Sequence, residues 1–325
     1  MEKEKKFVVG VDVGGQTTKI GVVDASGTIL SRTVIRSDVY GDDAEKYVGS
    51  LAQAVVECIS EAGVTEQVKG IKGIGVGAPN GNFYTGEISS APNLEWAAER
   101  TVKFSEMLSA RTGGLPVRLT NDANAAAVGE MTYGVARGMK DFIMITLGTG
   151  VGSGIVIDGK VVYGHDGFAG ELGHVKVVRE NGRPCGCGKS GCLEAYCSAT
   201  GVATTAREWL AGSDEPSLLR NIDTVSSKDV YDAAKAGDAM ALRIFEYTGT
   251  LLGRAFADFV AFSAPEAIVL FGGLARSKEF LYEPMLKAMD ENLMKIWRGK
   301  VRILFSELKE SDAAILGASA LAWDI

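Results

Sequence analysis

The sequence predicts a mixed α/β protein of two lobes with a structural metal loop, and three observations carry that expectation. Apolar runs of strand length alternate with segments of helical period along the whole chain, the pattern of sheets covered by helices. A strand, a glycine turn and a second strand occur twice, as FVVGVDV, GGQTT, KIGVVD from Phe7 and as DFIMITL, GTGVGSG, IVIDG from Asp141, which suggests two lobes built on one plan. At 325 residues the chain is also long for a single hydrophobic core.

The elements follow in order. The first strand ends at Asp12, the turn passes through Gly14 and Gly15, and ASG at 25–27 leads the second strand into a third, TILSRTVIR. Asp43 is placed to cap a helix in which Tyr47, Val48, Leu51, Val55 and Ile59 recur at helical spacing. The short buried strand IKGIGVG at 71–77 precedes PNGNFYTGEISSAPNLEW, which has no period and many turn formers and is predicted to be a long functional loop. A helix over about 101–112 and the strand PVRLT lead to NDANAAAVGE, with Asn121 and Asp122 at a strand-to-helix junction. Beyond the second glycine-turn unit, helices are expected at about 193–210 and 228–236, and a longer buried one from Ile244 through Phe259. EAIVLFGG at 266–273 is a strand running into a third glycine turn, followed by a helix, the strand VRILF and a last helix over about 311–323.

Composition narrows the function classes. Hydrophobic residues at 46% and charged residues at 23% describe an ordinary soluble chain, and no apolar run approaches the roughly 20 residues of a membrane span. The charged start MEKEKK does not lead into a signal-type segment, so a cytoplasmic protein with no membrane partner is expected. A net charge of −7 argues against a nucleic-acid partner, which favours a basic face.

Four of the five cysteines lie within GHDGFAGELGHVKVVRENGRPCGCGKSGCLEAYC from Gly164. His174, Cys185, Cys187 and Cys192 offer one imidazole and three thiolates, a complete tetrahedral shell for Zn(II) with no position left for water. A closed shell points to a metal that folds the loop rather than one that activates water, and disulfides would need an oxidising compartment. Cys58 and Cys197 are assigned to packing. Glu171 and Glu194 bracket the ligands and are positioned to meet a polyhydroxyl ligand.

The glycine turns after strands near residues 12, 147 and 271 can bring backbone N–H groups against an anion, and Thr17, Thr18 and Thr149 beside them point to a nucleotide's phosphates. Neither a P-loop nor a dinucleotide fingerprint is present. Asp122 is the leading candidate for a general base, and its position serves equally for a helix N-cap; Asp12 fits either a site near a phosphate-bound metal or a plain turn aspartate.

Taken together, DVGGQTTKIGVVD, NDANAAAVGE, LGTGVGSG, GELGHVKV, CGCGKSGCLEA and IVLFGG, in this order, closely resemble the ROK family of repressors, open reading frames and kinases, over about residues 7 to 323. The resemblance implies the two-lobed actin-like ATPase fold shared by sugar kinases, heat-shock 70 proteins and actin. It places a small α/β lobe at 1–121, joined by the last helix at about 311–325, and a large α/β lobe at 122–310 containing the zinc loop 174–192. It implies an ATP-dependent hexokinase that phosphorylates the 6-hydroxyl of glucose, with Mg2+ on the nucleotide and structural Zn2+. Asp122 is then the base, Asn121 a sugar ligand, and Glu171, His174 and Glu194 ligands of the ring hydroxyls, His174 using the nitrogen that does not bind zinc. Asn80, Gly81 and Asn93 would line the same pocket, while Asp12, Gly14, Gly15, Gln16, Thr17, Lys19, Thr149, Gly150, Gly272 and Gly273 would face ATP. Gln16 replaces the family's usual threonine, and Asn80 follows Pro79 where glycine is common. A homodimer or dimer of dimers is implied as well. Kinases of N-acetylglucosamine, N-acetylmannosamine or fructose, and a non-catalytic sugar-binding protein, share these residues. A DNA-binding repressor is disfavoured, because about six residues precede the first strand and no basic stretch is present.

Overall fold

The computed structural model describes residues 6–63 and 70–325, so the charged start at 1–5 lies outside the described residues. The chain packs as two units, one comprising the chain through Met139 with Val161–Gly170 and Glu307–Ile325, the other comprising Lys140–Lys160 and Glu171–Ser306.

The first unit opens with strands β1 (Phe7–Val13), β2 (Thr17–Asp24) and β3 (Ile29–Arg36), followed by helix α1 (Ala44–Glu61). Asp43 caps α1 by accepting a hydrogen bond from the Lys46 N–H, as its position foretold. Next come β4 (Ile71–Gly77), β5 (Ile88–Ser89), β6 (Thr101–Val102), α2 (Phe104–Arg111), β7 (Val117–Thr120) and α3 (Asp122–Tyr133). The helix expected over 101–112 is therefore shorter, because Thr101 and Val102 pair with β5 before α2 begins. The sheet order is β3-β2-β1-β4-β7, antiparallel among the first three strands and parallel from β1 onward.

Alternation along β1 divides its side chains between the two faces of this sheet. Val9, Val11 and Val13 join Tyr47, Val48, Leu51 and Val55 of α1 in one core. Val8 points the other way, to Ile315 and Leu316 of the last helix.

The second unit repeats the frame with β8 (Phe142–Leu147), β9 (Val151–Ile157) and β10 (Lys160–Val161), then adds helices α4 (Glu194–Cys197), α5 (Ala199–Gly212), α6 (Ser227–Lys235) and α7 (Ala239–Ser263). It finishes with β11 (Ala267–Phe271), α8 (Lys278–Asn292) and β12 (Arg302–Phe305), in the sheet order β10-β9-β8-β11-β12. The helix expected over 193–210 is broken at Ser198, whose extended backbone ends α4 and whose hydroxyl caps α5 by accepting from the Gly201 N–H. Ile143, Ile145 and Leu147 of β8 bury against Phe245, Leu252 and Phe256 of α7, each such side chain contributing about 1.5–3 kcal/mol of burial.

The chain ends in α9 (Glu310–Ala320), which belongs to the first unit. The boundary expected at 121 falls where β7 passes into α3. Ala125 and Val128 of α3 pack on Ala320 and Leu321, and the first unit runs on to Met139. Among the described residues no helix is long and apolar enough to cross a membrane.

Candidate active site

In the first unit, β1 delivers Asp12 to the mouth of the first glycine turn, opposite Lys19 on β2, whose Nζ lies 3.8 Å from Asp12 Oδ2. Burial pushes the Asp12 carboxyl up to about 6, the Lys19 ammonium opposes that shift, and the charge of Asp122 adds to it. The turn is closed by the Gly14 N–H donating to the Thr17 carbonyl at 3.0 Å and by the Ser37 N–H donating to the Gln16 carbonyl at 2.8 Å. Gln16 and Thr17 are exposed. Thr18, grouped with them in the sequence as a phosphate contact, is instead fully buried, its hydroxyl bonded to Tyr47 Oη at 2.6 Å and Ser37 Oγ at 2.9 Å. Strand alternation sends Thr17 out and Thr18 in. A Cβ on Gly15 would lie 2.7 Å from the carbonyl oxygen of Asn93, so glycine here lets the exposed Asn93 turn approach the backbone.

Asn121, not Asp122, is the N-cap of α3: its Oδ1 accepts from the Asn124 N–H at 2.7 Å. The cap falls one residue earlier than one of the two readings of Asp122, and Asp122 becomes the first residue of the helix, its Oδ1 accepting from the Ala123 N–H at 2.9 Å. Its side chain remains exposed to a ligand, yet the protein around it desolvates the carboxyl and raises its pKa, while backbone hydrogen bonds oppose the rise.

The 78–97 loop is more ordered than its composition suggests. Asn80 adopts a positive φ of 52°, and its Nδ2 donates to the carbonyls of Ser89 and Ser90 at 3.2 and 2.6 Å. Gly81 donates to the Ala78 carbonyl and bridges to Ile88. The residue missed in the sequence is Asn82. It is buried, its Nδ2 donates to the Asp166 carbonyl at 2.6 Å, and its Oδ1 accepts from the Tyr84 and Thr85 N–H groups. Phe83 stacks on Tyr163 at 3.9 Å beside it, and the signal available was the adjacent pair Phe83 and Tyr84 inside the loop.

In the second unit, His174, Cys185, Cys187 and Cys192 come together with their ligand atoms all within 4.8 Å of one another. The Cys187 and Cys192 sulfurs are 3.7 Å apart, and Cys185 Sγ lies 3.6 Å from His174 Nδ1. A tetrahedron with Zn–S bonds of about 2.3 Å has edges near 3.8 Å, so the donor set and its spacing fit Zn(II). His174 Nδ1 faces the sulfurs, and Nε2 faces Glu171 Oε2 at 4.0 Å. Glu194 Oε2 accepts from the Val151 N–H at 2.9 Å, and Oε1 lies 3.5 Å from Cys185 Sγ. Gly150 makes room for it, since a Cβ there would sit 2.4 Å from Glu194 Oε2.

The second glycine turn is pinned from α5 by the Ala199 N–H on the Gly148 carbonyl and the Thr200 hydroxyl on the Thr149 carbonyl, which leaves the Thr149 side chain exposed. Gly272 and Gly273 open a short helical turn after β11, closed by the Ala275 N–H on the Gly272 carbonyl. Cys58 and Cys197 are fully buried in the two cores, in keeping with a packing role.

Residues 8–325 match the ROK family model. The chain belongs to the ROK family. Among ROK relatives it is 39% identical to the glucokinase of Halalkalibacterium halodurans over 86% of this chain and 84% of that protein. It is 35% identical to the glucokinase of Thermotoga maritima, covering 98% and 97% of the two chains. Its structure superposes on a ROK glucokinase from Streptomyces griseus, solved in complex with glucose and AMPPNP, with a TM-score of 0.78, 32% identity and coverage of 98% and 100%. The fold is that of ROK sugar kinases, the actin-like ATPase type.

Proposed function

We propose that this ROK protein is an ATP-dependent glucokinase, transferring the γ-phosphoryl group of ATP to the 6-hydroxyl of glucose with Asp122 as the base. The observation that carries the reading is Asp122 itself: a reachable, desolvated carboxylate on the first residue of α3, held by the Ala123 N–H and relieved of capping by Asn121. Glucokinases are the relatives that share 35–39% of its residues.

Phosphoryl transfer passes through a loose transition state, so the protein mainly positions the groups and stabilises charge. Asp122 orients the 6-hydroxyl and accepts its proton as the bond to phosphorus forms. Its raised pKa makes it a better acceptor than an ordinary aspartate. Asn121 has its Oδ1 committed to the cap, so it meets the sugar through its amide nitrogen. Glu171 and Glu194 accept hydrogen bonds from ring hydroxyls, and His174 offers Nε2. Asn80, Gly81 and Asn93 form the wall set by the 78–97 loop. Gly15, Gln16, Thr17, Thr149, Gly150, Gly272 and Gly273 present backbone N–H groups and hydroxyls to the nucleotide, and Gly14, whose N–H closes the turn on Thr17, leaves room for the phosphates.

Mg2+ carried by ATP supplies charge neutralisation on the phosphates. Asp12 fits as the carboxylate facing it, because its buried charge is only partly offset by Lys19. Zn2+ in the His174, Cys185, Cys187, Cys192 shell would supply rigidity to the loop from which His174 presents its Nε2 edge, while the Val151 N–H holds Glu194. The protein is further proposed to act in the cytoplasm as a homodimer or dimer of dimers.

The test is a coupled ADP-release assay with Mg-ATP across glucose, N-acetylglucosamine, N-acetylmannosamine, mannose and fructose. Turnover with the highest kcat/KM on glucose, yielding glucose 6-phosphate, is the expected result. Preference for an acetamido sugar or fructose would reassign the substrate, and sugar binding without turnover would make the chain a sugar-binding protein.

A further inference from the structure

The metal loop contains a cation that the reading above does not use. Lys176 follows His174 by two positions, and its backbone forms an antiparallel bridge with Cys192. Its side chain is exposed along much of its length, yet its ammonium turns inward: it donates to the Ser190 carbonyl and lies 3.7 Å from Cys192 Sγ. Cys192 is fully buried and sits 3.7 Å from Cys187 Sγ.

Charge explains why a cation belongs there. Zn(II) with three thiolates and a neutral imidazole carries formally one net negative charge. Glu194 Oε1 at 3.5 Å from Cys185 Sγ and Glu171 Oε2 at 4.0 Å from His174 Nε2 add further negative charge. A buried thiolate in that field is costly unless a positive group or hydrogen-bond donor reaches it. The Lys176 ammonium does both, and its bond to the Ser190 carbonyl fixes it between the two strands of the loop that carry His174 and Cys192.

We propose that Lys176 is an outer-sphere partner of the metal site, offsetting the charge of the metal–thiolate group at Cys192 and slowing loss of the ion. The proposal rests on the assignment of the loop to zinc. Lys176 touches no donor to the sugar or the nucleotide in this scheme, so its effect falls on metal retention.

The experiment uses the full chain purified with zinc, as wild type and as Lys176→Met, Lys176→Gln and Lys176→Arg. Bound zinc per chain is measured by atomic emission, and its release into excess 4-(2-pyridylazo)resorcinol is followed at low and high salt. Lys176→Met is expected to release zinc about ten-fold faster than wild type, the scale of outer-sphere effects on metal sites. Lys176→Gln, which can still donate to the Ser190 carbonyl, is expected to stay fast, and Lys176→Arg to recover most of the retention. The gap between wild type and Lys176→Met should narrow at high salt, because the ammonium is partly solvated. Release at the wild-type rate from both Lys176→Met and Lys176→Gln would overturn the proposal, as would equal acceleration in all three variants. Wild-type protein without zinc would overturn the metal assignment itself and the proposal with it. If Lys176→Met does not fold, the Gln and Arg pair decides between charge and packing.

Discussion

The two sheets have the same strand order and a glycine turn between their first two strands, yet the turns carry different chemistry. The turn after β1 is led by a carboxylate, Asp12, whose pKa burial lifts to about 6, and its second glycine makes way for the backbone of Asn93. The turn after β8 is led by Thr146 and Leu147, and its second glycine makes way for a side chain, the Glu194 carboxylate beside the metal ligands. One frame thus serves two tasks. The first turn carries Asp12, proposed to meet phosphate charge, and the second makes room for Glu194, proposed to meet the sugar beside the metal loop.

Substitutions that strike one unit's task and spare the other's are the way to break this comparison. The largest effect is expected for Asp122→Asn, which leaves the helix and its Asn121 cap intact but removes the base; kcat should fall by about 10²–10⁴, with melting temperature near wild type. Unchanged kcat would remove Asp122 from the chemistry. Next is Cys187→Ser, which opens the zinc shell: bound zinc, melting temperature and glucose turnover should fall together, whereas a variant that keeps all three would show that the loop folds without metal.

A smaller and more discriminating pair is Gly150→Ala against Gly273→Ala. The first puts a methyl 2.4 Å from Glu194 Oε2 and should raise KM for glucose several-fold; the second meets nothing within 4 Å and should leave that constant alone. Equal effects would contradict the role given to Glu194.

The smallest effect concerns pH and Asp12. Its folded pKa is raised, so the folded chain keeps a proton that the unfolded chain releases from pH near 4 upward. Folding stability is therefore lost as pH rises from the ordinary carboxylate value through about 6. Asp12→Asn should raise the melting temperature near pH 7 and make no difference in strong acid. Wild-type kcat/KM should decline below about pH 6 as Asp12 takes up its proton. A profile flat through pH 6, or a destabilised Asp12→Asn, would show that the carboxylate is neither strained nor required.

What could be read from the sequence follows from the range of each interaction. The α1 cap is a local bond between Asp43 and the residue three positions on, and the metal ligands span only 174 to 192, so both were legible. The split between Thr17 and Thr18 is set by which face of β2 meets Tyr47, 29 positions away from Thr18, and the turn's composition does not record it. Asn82 was missed for the same reason: its partner at Asp166 is 84 positions distant. The echo of the first glycine-turn unit in the second was visible as pattern. The insertion of β4 beside β1 and of β11 beside β8 was not, because parallel partners are chosen by how the intervening helices pack.

The measurement that bears most directly on the division of labour is glucose binding, by isothermal titration, to Asp122→Asn and Glu194→Gln in the absence of nucleotide. Asp122→Asn is expected to bind glucose within a few-fold of wild type, and Glu194→Gln at least roughly ten-fold more weakly, the loss of one charge-assisted hydrogen bond. Wild-type affinity in Glu194→Gln, or collapse of binding in Asp122→Asn, would contradict the assignment of catalysis to Asp122 and sugar binding to Glu194.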